Sequence, residues 1–107
     1  MPKMSKAKQR ALEAAGWRVG TVQDFLALTD EEAALVALKL RLSDALRQRR
    51  TRLKLTQTAV AKRLQSSQSR VAKMEAADPS VTLDLLVRSL VALGATPKDL
   101  ARAIQAA

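Results

Sequence analysis

Residues 56–75, TQTAVAKRLQSSQSRVAKME, decide the fold class of this chain, because they place two short helical patterns on either side of a polar corner at residues 65–67. Ser67 stands where the second helix needs an N-cap, and its hydroxyl is expected to accept a hydrogen bond from the first turn. The inward-facing positions are apolar or small at helical spacing: Leu55, Val60, Ala61, Leu64, Val71 and Met74. The stretch therefore predicts two helices that cross closely around a tight turn.

Positive charge is concentrated around this helix pair. The chain carries 19 Lys and Arg against 10 Asp and Glu, a formal net charge of +9. Nine of the basic residues, and no acidic residue, fall within one window: Arg47, Arg49, Arg50, Arg52, Lys54, Lys62, Arg63, Arg70 and Lys73. Outside that window ten basic residues balance ten acidic ones. This distribution is typical of a protein that binds double-stranded DNA.

The composition excludes several classes of protein. With no cysteine and no histidine in 107 residues, the chain lacks a disulfide scaffold and the usual zinc ligands. With no tyrosine either, the common nucleophile–base pairs are missing, so we expect no enzyme, no metal and no cofactor. No apolar run approaches about 20 residues and no signal core follows the basic start, which predicts a cytoplasmic, nucleoid-associated protein. Trp17 and Phe25 are too few aromatic residues for a single-strand stacking platform.

Helical spacing and capping signals continue along the chain, so the predicted fold class is all-α. Residues 29–32, TDEE, form a capping box that starts a long helix ending near Lys54. One apolar stripe is predicted along it: Leu35, Leu38, Leu42, Leu46 and Leu53. Thr82 and Thr96 are positioned to cap two further helices, and Gly94 ends the first of these as a left-handed cap.

The first 28 residues are predicted to form a helical extension with a mobile basic start, and residues 29–107 the main domain. The extension would hold one helix at residues 6–15, stopped by Gly16, and a shorter one at residues 22–28. Trp17 is expected to be a packing anchor, or a partner surface if exposed. Apolar residues on a second face of the long helix need a further partner, either the extension or a second subunit: Val36 and Leu40, together with Leu85, Leu86 and Leu90.

The segment LTQTAVAKRLQSSQSRVAKME resembles the helix-turn-helix of the lambda-repressor-like (Xre-type) DNA-binding family, and the similarity extends over about residues 46–100. The preceding GWRVGTVQDFLALTDEEAAL is similar to HigA-like antitoxins and their orphan relatives. The resemblance implies a lambda-repressor-like helix-turn-helix domain with an N-terminal helical extension. The chain departs from the family at Gln65, where the turn usually has glycine, so a left-handed backbone there would be strained.

Site residues follow from the way such a helix meets DNA. When a helix enters the major groove end-on, its first turn reaches the base edges, which makes Gln68, Ser69 and Arg70 candidate base contacts. A solvated helix face is the alternative. Candidate contacts to the DNA backbone are the surrounding basic residues and the glutamine that opens the first helix: Gln57, Lys73, Arg52, Lys54, Lys62 and Arg63. The resemblance implies a structural ion pair between Arg50 and Glu75, with no metal or catalytic role for Glu75.

Together these features predict a sequence-specific, double-stranded DNA-binding transcriptional regulator that binds an inverted repeat as a homodimer. The HigA-like resemblance implies a repressor that is also the antitoxin of a RelE-like toxin and autoregulates its operon, with residues 6–45 as the toxin-facing surface. The alternative is a protein–protein interaction module with a basic docking face and no specific DNA site. The mixture of Gln68, Ser69 and Arg70 speaks against it, because charge matching alone would not require that mixture.

Overall fold

The computed structural model describes residues 29–105 of the chain. Within that range it contains five α-helices and no strand, which confirms the all-α fold class. The helices are α1 (Asp30–Arg52), α2 (Gln57–Arg63), α3 (Gln68–Glu75), α4 (Leu83–Ala92) and α5 (Pro97–Gln105). None of these five is both long and apolar enough to cross a membrane. The predicted N-terminal extension, with its two helices and Trp17, lies outside the described residues.

The chain divides into two compact units, Met1–Leu38 together with Ala107, and Lys39–Ala106. Of the first unit, the structure describes residues 29–38, which are the first turns of α1, and there Ala33 and Ala37 are buried. The second unit contains the remainder of α1 and all of α2 to α5. The domain boundary predicted between residues 28 and 29 stays a prediction.

Side-chain caps fix where the helices begin. Thr29 Oγ1 accepts from the Glu32 amide at 3.2 Å, and Glu32 Oε1 accepts from the Thr29 amide at 3.3 Å, so the predicted capping box is confirmed. Thr82 caps α4 as predicted, because its hydroxyl accepts from the Leu85 amide at 3.1 Å. These bonds satisfy amide groups that have no partner inside the helix.

The connection from α4 to α5 also follows the prediction. Gly94 has a φ of 94°, the left-handed cap that a side chain would strain. Thr96 and Asp99 exchange two hydrogen bonds, from the Thr96 amide to Asp99 Oδ2 at 2.8 Å and from the Asp99 amide to Thr96 Oγ1 at 3.2 Å. The hydrogen bonds from Thr96 lower the pKa of Asp99. Arg49 of α1 reaches the same carboxylate at 3.0 Å, which ties the end of α1 to the start of α5.

The core of the second unit lies between the end of α1, the α2–α3 pair and α4. Its fully buried large side chains come from all four helices: Leu42, Leu46, Val60, Val71, Met74 and Leu86. The predicted inward positions Val60, Val71 and Met74 are 0% exposed, and Ala61 is also buried. Leu55 and Leu64 are half-buried. The α2–α3 pair is therefore attached to α1 and α4 through one continuous apolar core.

Two parts of the predicted apolar pattern are wrong. Leu35 and Leu53 are exposed, although the sequence pattern assigned them to the same helical face as the buried Leu42. Leu35 belongs to the first unit, whereas Leu42 is buried in the second, and Leu53 lies beyond the last residue of α1. Leu86 and Leu90, predicted as surplus apolar surface, belong to the monomer core. Val36 and Leu85 are half-buried, whereas Leu40 is exposed.

The turn between α2 and α3 places Gln65 in the left-handed region, with a φ of 52°. The Ser66 amide donates to the Ala61 carbonyl at 2.8 Å, and the Gln65 amide donates to the Lys62 carbonyl at 3.2 Å. These two hydrogen bonds form a Schellman-type cap at the end of α2. The left-handed position of such a cap is usually glycine. Lys54 after α1 and Ala77 after α3 have φ values of 58° and 53°, so three helices of this unit end on strained non-glycine residues.

We expect Gln65→Gly to stabilise the protein by about 0.5–1 kcal/mol, because relief of the left-handed strain exceeds the extra backbone entropy of glycine in the unfolded chain. The measurement is urea denaturation with an unchanged dependence on denaturant. Ser66→Gly is the matched control, since Ser66 has no positive φ and glycine there should destabilise. Equal effects of the two substitutions would contradict the role of backbone strain.

We expect Ser43→Ala to stabilise the protein by about 1 kcal/mol, because alanine removes a buried hydroxyl without a partner and favours the helix. Ser43 in α1 is 2% exposed and, among the described residues, its Oγ is the buried side-chain atom without a hydrogen-bond partner. Ser89→Ala is the control, because Ser89 is equally buried but donates to Met74 Sδ at 3.4 Å. A larger gain from Ser89→Ala than from Ser43→Ala in denaturant melts would contradict this assignment.

Candidate nucleic-acid interface

Helix α3 presents its first turn to solvent. Ser67 is the N-cap, with φ −105° and ψ 156°, and its Oγ accepts from the Arg70 amide at 3.2 Å, as predicted. Val71 and Met74 anchor the opposite face of α3 in the core. The side chains of Gln68 and Arg70 are exposed, as is that of Ser69. The start of α3 is thus fixed on its buried face by packing and at its N-terminus by the Ser67 cap.

The three candidate base contacts point in different directions. With 100° per residue, Ser69 lies about 170° from the buried face of α3, whereas Gln68 and Arg70 lie about 90° and 70° from it on opposite flanks. Lys73, predicted as a backbone contact, lies about 130° from the buried face. Ser69 and Lys73 therefore point most directly outward, and the side chains of Gln68 and Arg70 flank them.

The last turn of α1 is joined to the end of α3 by a bidentate ion pair. Arg50 Nε donates to Glu75 Oε2 at 2.6 Å, and Arg50 Nη2 donates to Glu75 Oε1 at 3.0 Å. The remaining Arg50 Nη1 donates to the Leu55 carbonyl at 3.1 Å. The Glu75 side chain is 6% exposed, so it depends on Arg50 for the hydrogen bonds that water would otherwise supply. The hydrogen bond with Glu75 raises the pKa of Arg50.

Gln57 connects this ion pair to the first turn of α3. Its Nε2 donates to Glu75 Oε1 at 3.2 Å, and its Oε1 accepts from Gln68 Nε2 at 2.6 Å. The first residue of α2 therefore holds both ends of α3. This use of the side chain leaves Gln57 with one N–H on Nε2 for a phosphate, the role predicted from sequence.

On the other flank of α3, Arg70 lies between two shallow grooves. One groove reaches the end of α2 and the middle of α4, and Arg63, Arg70 and Arg88 line it together with Gln65 and Ser66. The second is lined by Arg70 and Lys73 together with the hydroxyl residues Ser67, Ser69 and Ser80. Three arginines from three helices thus line this groove, and Arg88 also forms an exposed ion pair with Asp84 at 3.5 Å.

The other predicted backbone contacts lie at separate places. Lys62 and Arg63 are exposed on the last turn of α2, and Lys54 is exposed in the connection after α1. Arg52 is exposed and lines a groove between α1 and α5, shared with Arg102. The structure therefore brings Arg63, Arg70 and Lys73 to the flank of α3, and it places Arg52 next to α5.

Sequence reasoning missed three features of the domain. Arg88 and Ser80 were not among the predicted residues, because both come from beyond the helix pair and only the fold brings them to α3. The contact of Arg49 with Asp99 was also missed. The Gln57–Gln68 bond joins residues 11 positions apart on different helices, a spacing for which no local pattern gives a signal.

The family model described as a helix-turn-helix domain matches residues 41–103, more than half of the chain. The match covers the second half of α1 and all of α2, α3 and α4, with most of α5. Searches of curated proteins and of solved structures gave no significant match.

Proposed function

We propose that this chain, which belongs to the helix-turn-helix domain family, is a sequence-specific transcriptional regulator that binds double-stranded DNA and carries out no chemistry of its own. The observation that carries the proposal is the first turn of α3, whose exposed Gln68, Ser69 and Arg70 stand on a helix anchored by buried Val71 and Met74. Glutamine, serine and arginine are side chains that read base edges in the major groove. A rigid helix can hold them there in one register.

Electrostatics supports the same function. The formal net charge of +9 and the exposed basic side chains around α3 favour a polyanionic partner. Lys62, Arg63 and Lys73 would contact phosphates on either side of the groove that α3 enters, and Gln57 would contribute its free N–H. Such contacts position the protein without reading sequence.

The finer proposal is a dimeric repressor acting in the cytoplasm on the nucleoid. A half-site read by one short helix specifies few base pairs, so paired half-sites in an inverted repeat are expected. Exposed apolar side chains on α1, α4 and α5 provide surface for a second subunit: Leu40, Val91 and Ile104. In a dimer, this surface would be withdrawn from water.

The HigA-like resemblance adds an antitoxin role, with a RelE-like toxin as partner and repression of the shared operon. It rests on the sequence of residues 16–35, most of which lie outside the described residues. Co-expression with the protein of the neighbouring reading frame tests this role. Rescue of growth and a copurifying complex are expected, and toxicity that persists would remove the antitoxin role while leaving the DNA-binding proposal intact.

The decisive experiment is selection of bound sequences from random duplexes, which should yield an inverted repeat. We expect Arg70→Ala to relax preference at one base pair in each half-site by about 1–3 kcal/mol. Arg88→Ala is the matched control across the groove, and it should change affinity for all sequences alike. If nothing is enriched from the random pool, the alternative of a protein–protein interaction module with a basic docking face gains support.

Binding should fall steeply with salt, because each neutralised phosphate adds about 0.9 to the slope of log affinity against log salt concentration. Lys62→Ala is expected to lower that slope by about 0.9 and to weaken binding to all DNA sequences equally. Lys98→Ala on α5 is the control, since Lys98 is also exposed but stands outside the helix pair. DNA affinity is measured by fluorescence anisotropy at several salt concentrations. An affinity that does not change with salt would contradict the electrostatic contribution.

A further inference from the structure

A groove between α1 and α5 gathers positive charge away from the proposed base-reading surface. Its wall on α1 consists of Ala45, Gln48, Arg49 and Arg52. These residues are spaced three or four positions apart, so they share one face of the helix. Successive residues turn by about 100°, so Arg52 lies about 160° around α1 from Arg50, whose side chain binds α3. The groove is therefore on the side of α1 that is turned away from α3.

The groove has an apolar floor and a cationic rim. Its buried lining residues are Leu90 of α4, which is 2% exposed, and Ala95 of the α4–α5 connection, which is 8% exposed. Its exposed charged residues are Arg52 of α1 and Arg102 of α5, one from each wall. The volume of the groove is about 230 Å³, below the roughly 300–1,000 Å³ of pockets for drug-sized ligands. The space therefore suits a small molecule with an apolar body and a negatively charged group.

The positive charge of the groove is only partly compensated. Asp99 is the acidic residue of its lining, with Arg49 at 3.0 Å and Arg102 at 3.8 Å from the carboxylate. Among the described residues, Arg52 has no ion pair and no side-chain hydrogen bond. Three guanidinium groups and one carboxylate leave the groove with a formal charge of +2.

Arg49 keeps donors available beyond its ion pair. A guanidinium group has five N–H donors in a rigid plane, and the structure gives Arg49 one hydrogen bond, from Nη2 to Asp99 Oδ2 at 3.0 Å. The Arg49 side chain is 17% exposed, so packing and Asp99 hold it in place. A guanidinium group that is already held loses less side-chain entropy when it binds a carboxylate or a phosphate. The more exposed Arg52 and Arg102 are then available to the same anion from the two walls.

We propose that this groove is a binding site for a small organic anion, namely a carboxylate or phosphate group carried on an apolar body. The apolar body would contact Leu90 and Ala95. The charged group would bind the guanidinium groups of Arg49, Arg52 and Arg102, and the bound anion would join α1 to α5. The inference goes beyond the proposed function and does not depend on DNA binding, because the site uses no residue of α2 or α3.

The test uses phenyl phosphate, benzoate, inorganic phosphate and phenol as probes of the folded chain, with affinities measured by isothermal titration calorimetry at low salt. We expect phenyl phosphate or benzoate to bind with a dissociation constant of roughly 1 mM or below, and the tighter of the two identifies the preferred charged group. Inorganic phosphate should bind about fivefold more weakly than phenyl phosphate, because it leaves the apolar floor in water. Phenol should not bind, because it lacks the charge. Failure of both aromatic anions to bind at millimolar concentration would overturn the proposal.

Substitutions of the rim test whether the anion binds in this groove. Arg52→Ala and Arg102→Ala should each weaken binding of the tighter aromatic anion at least about fivefold, because a charge-assisted hydrogen bond is lost. Arg47→Ala is the matched control, since Arg47 is an exposed arginine of α1 that does not line the groove. Equal losses in all three variants would indicate attraction to the overall positive charge and would overturn the site.

Ala103→Leu tests the apolar floor without changing the charge. Ala103 is a half-buried lining residue on α5, and a larger side chain there would occupy space that the apolar body needs. Affinity for the aromatic anion should fall, whereas affinity for inorganic phosphate should be unchanged. An aromatic anion that binds Ala103→Leu as tightly as the wild type would contradict the assigned floor.

Amide resonances of the isotope-labelled protein locate the bound anion directly. Shifts on titration with the tighter aromatic anion are expected at Ala45, Leu100 and Ala103, which line the groove on both walls. Shifts confined to Arg63 and Arg88 would instead place the anion in the arginine-lined groove beside α3 and overturn the inference.

Discussion

The ion pair between Arg50 and Glu75 is the interaction on which the arrangement of this domain depends. It joins the last turn of α1 to the last residue of α3, and Gln57 adds the first residue of α2 to the same carboxylate. Loss of Arg50 would leave the carboxylate of Glu75, whose side chain is 6% exposed, without its charged partner. A change at Arg50 would therefore disturb the helix pair as well as a local contact.

Neighbouring arginines of α1 bind two different helices of the unit. Arg50 binds Glu75 of α3, whereas Arg49 binds Asp99 at the start of α5. Successive residues of a helix diverge by about 100°, so adjacent positions can serve two directions. Beneath them Leu42 and Leu46 pack in the apolar core. The long helix α1 acts as the scaffold, and the short helices α2 and α3 keep their positions through contacts with it.

This construction suits the proposed role of α3 in reading DNA in one register. The backbone of α3 is fixed by Val71, Met74 and the Ser67 cap, while its exposed side chains differ in their contacts. Gln68 is held by Gln57, whereas Arg70 lies at open grooves with other arginines. A tethered amide favours hydrogen bonding of defined polarity, and exposed guanidinium groups favour contact with phosphates or a guanine edge. The two flanks of α3 are thus prepared for different kinds of contact.

The sequence by itself determined the helical class, the capping boxes at Thr29 and Thr96, the cap at Ser67 and the buried positions Val60, Val71 and Met74. These features depend on residues three or four positions apart, so local spacing encodes them. Only the tertiary structure decided that Leu35 and Leu53 are exposed, that Arg88 and Arg70 line one groove, and that Gln57 bridges Glu75 and Gln68. The physical reason is that the burial of a side chain and its hydrogen-bond partners depend on which helix lies opposite. Packing between segments that are distant in the chain determines which helix that is.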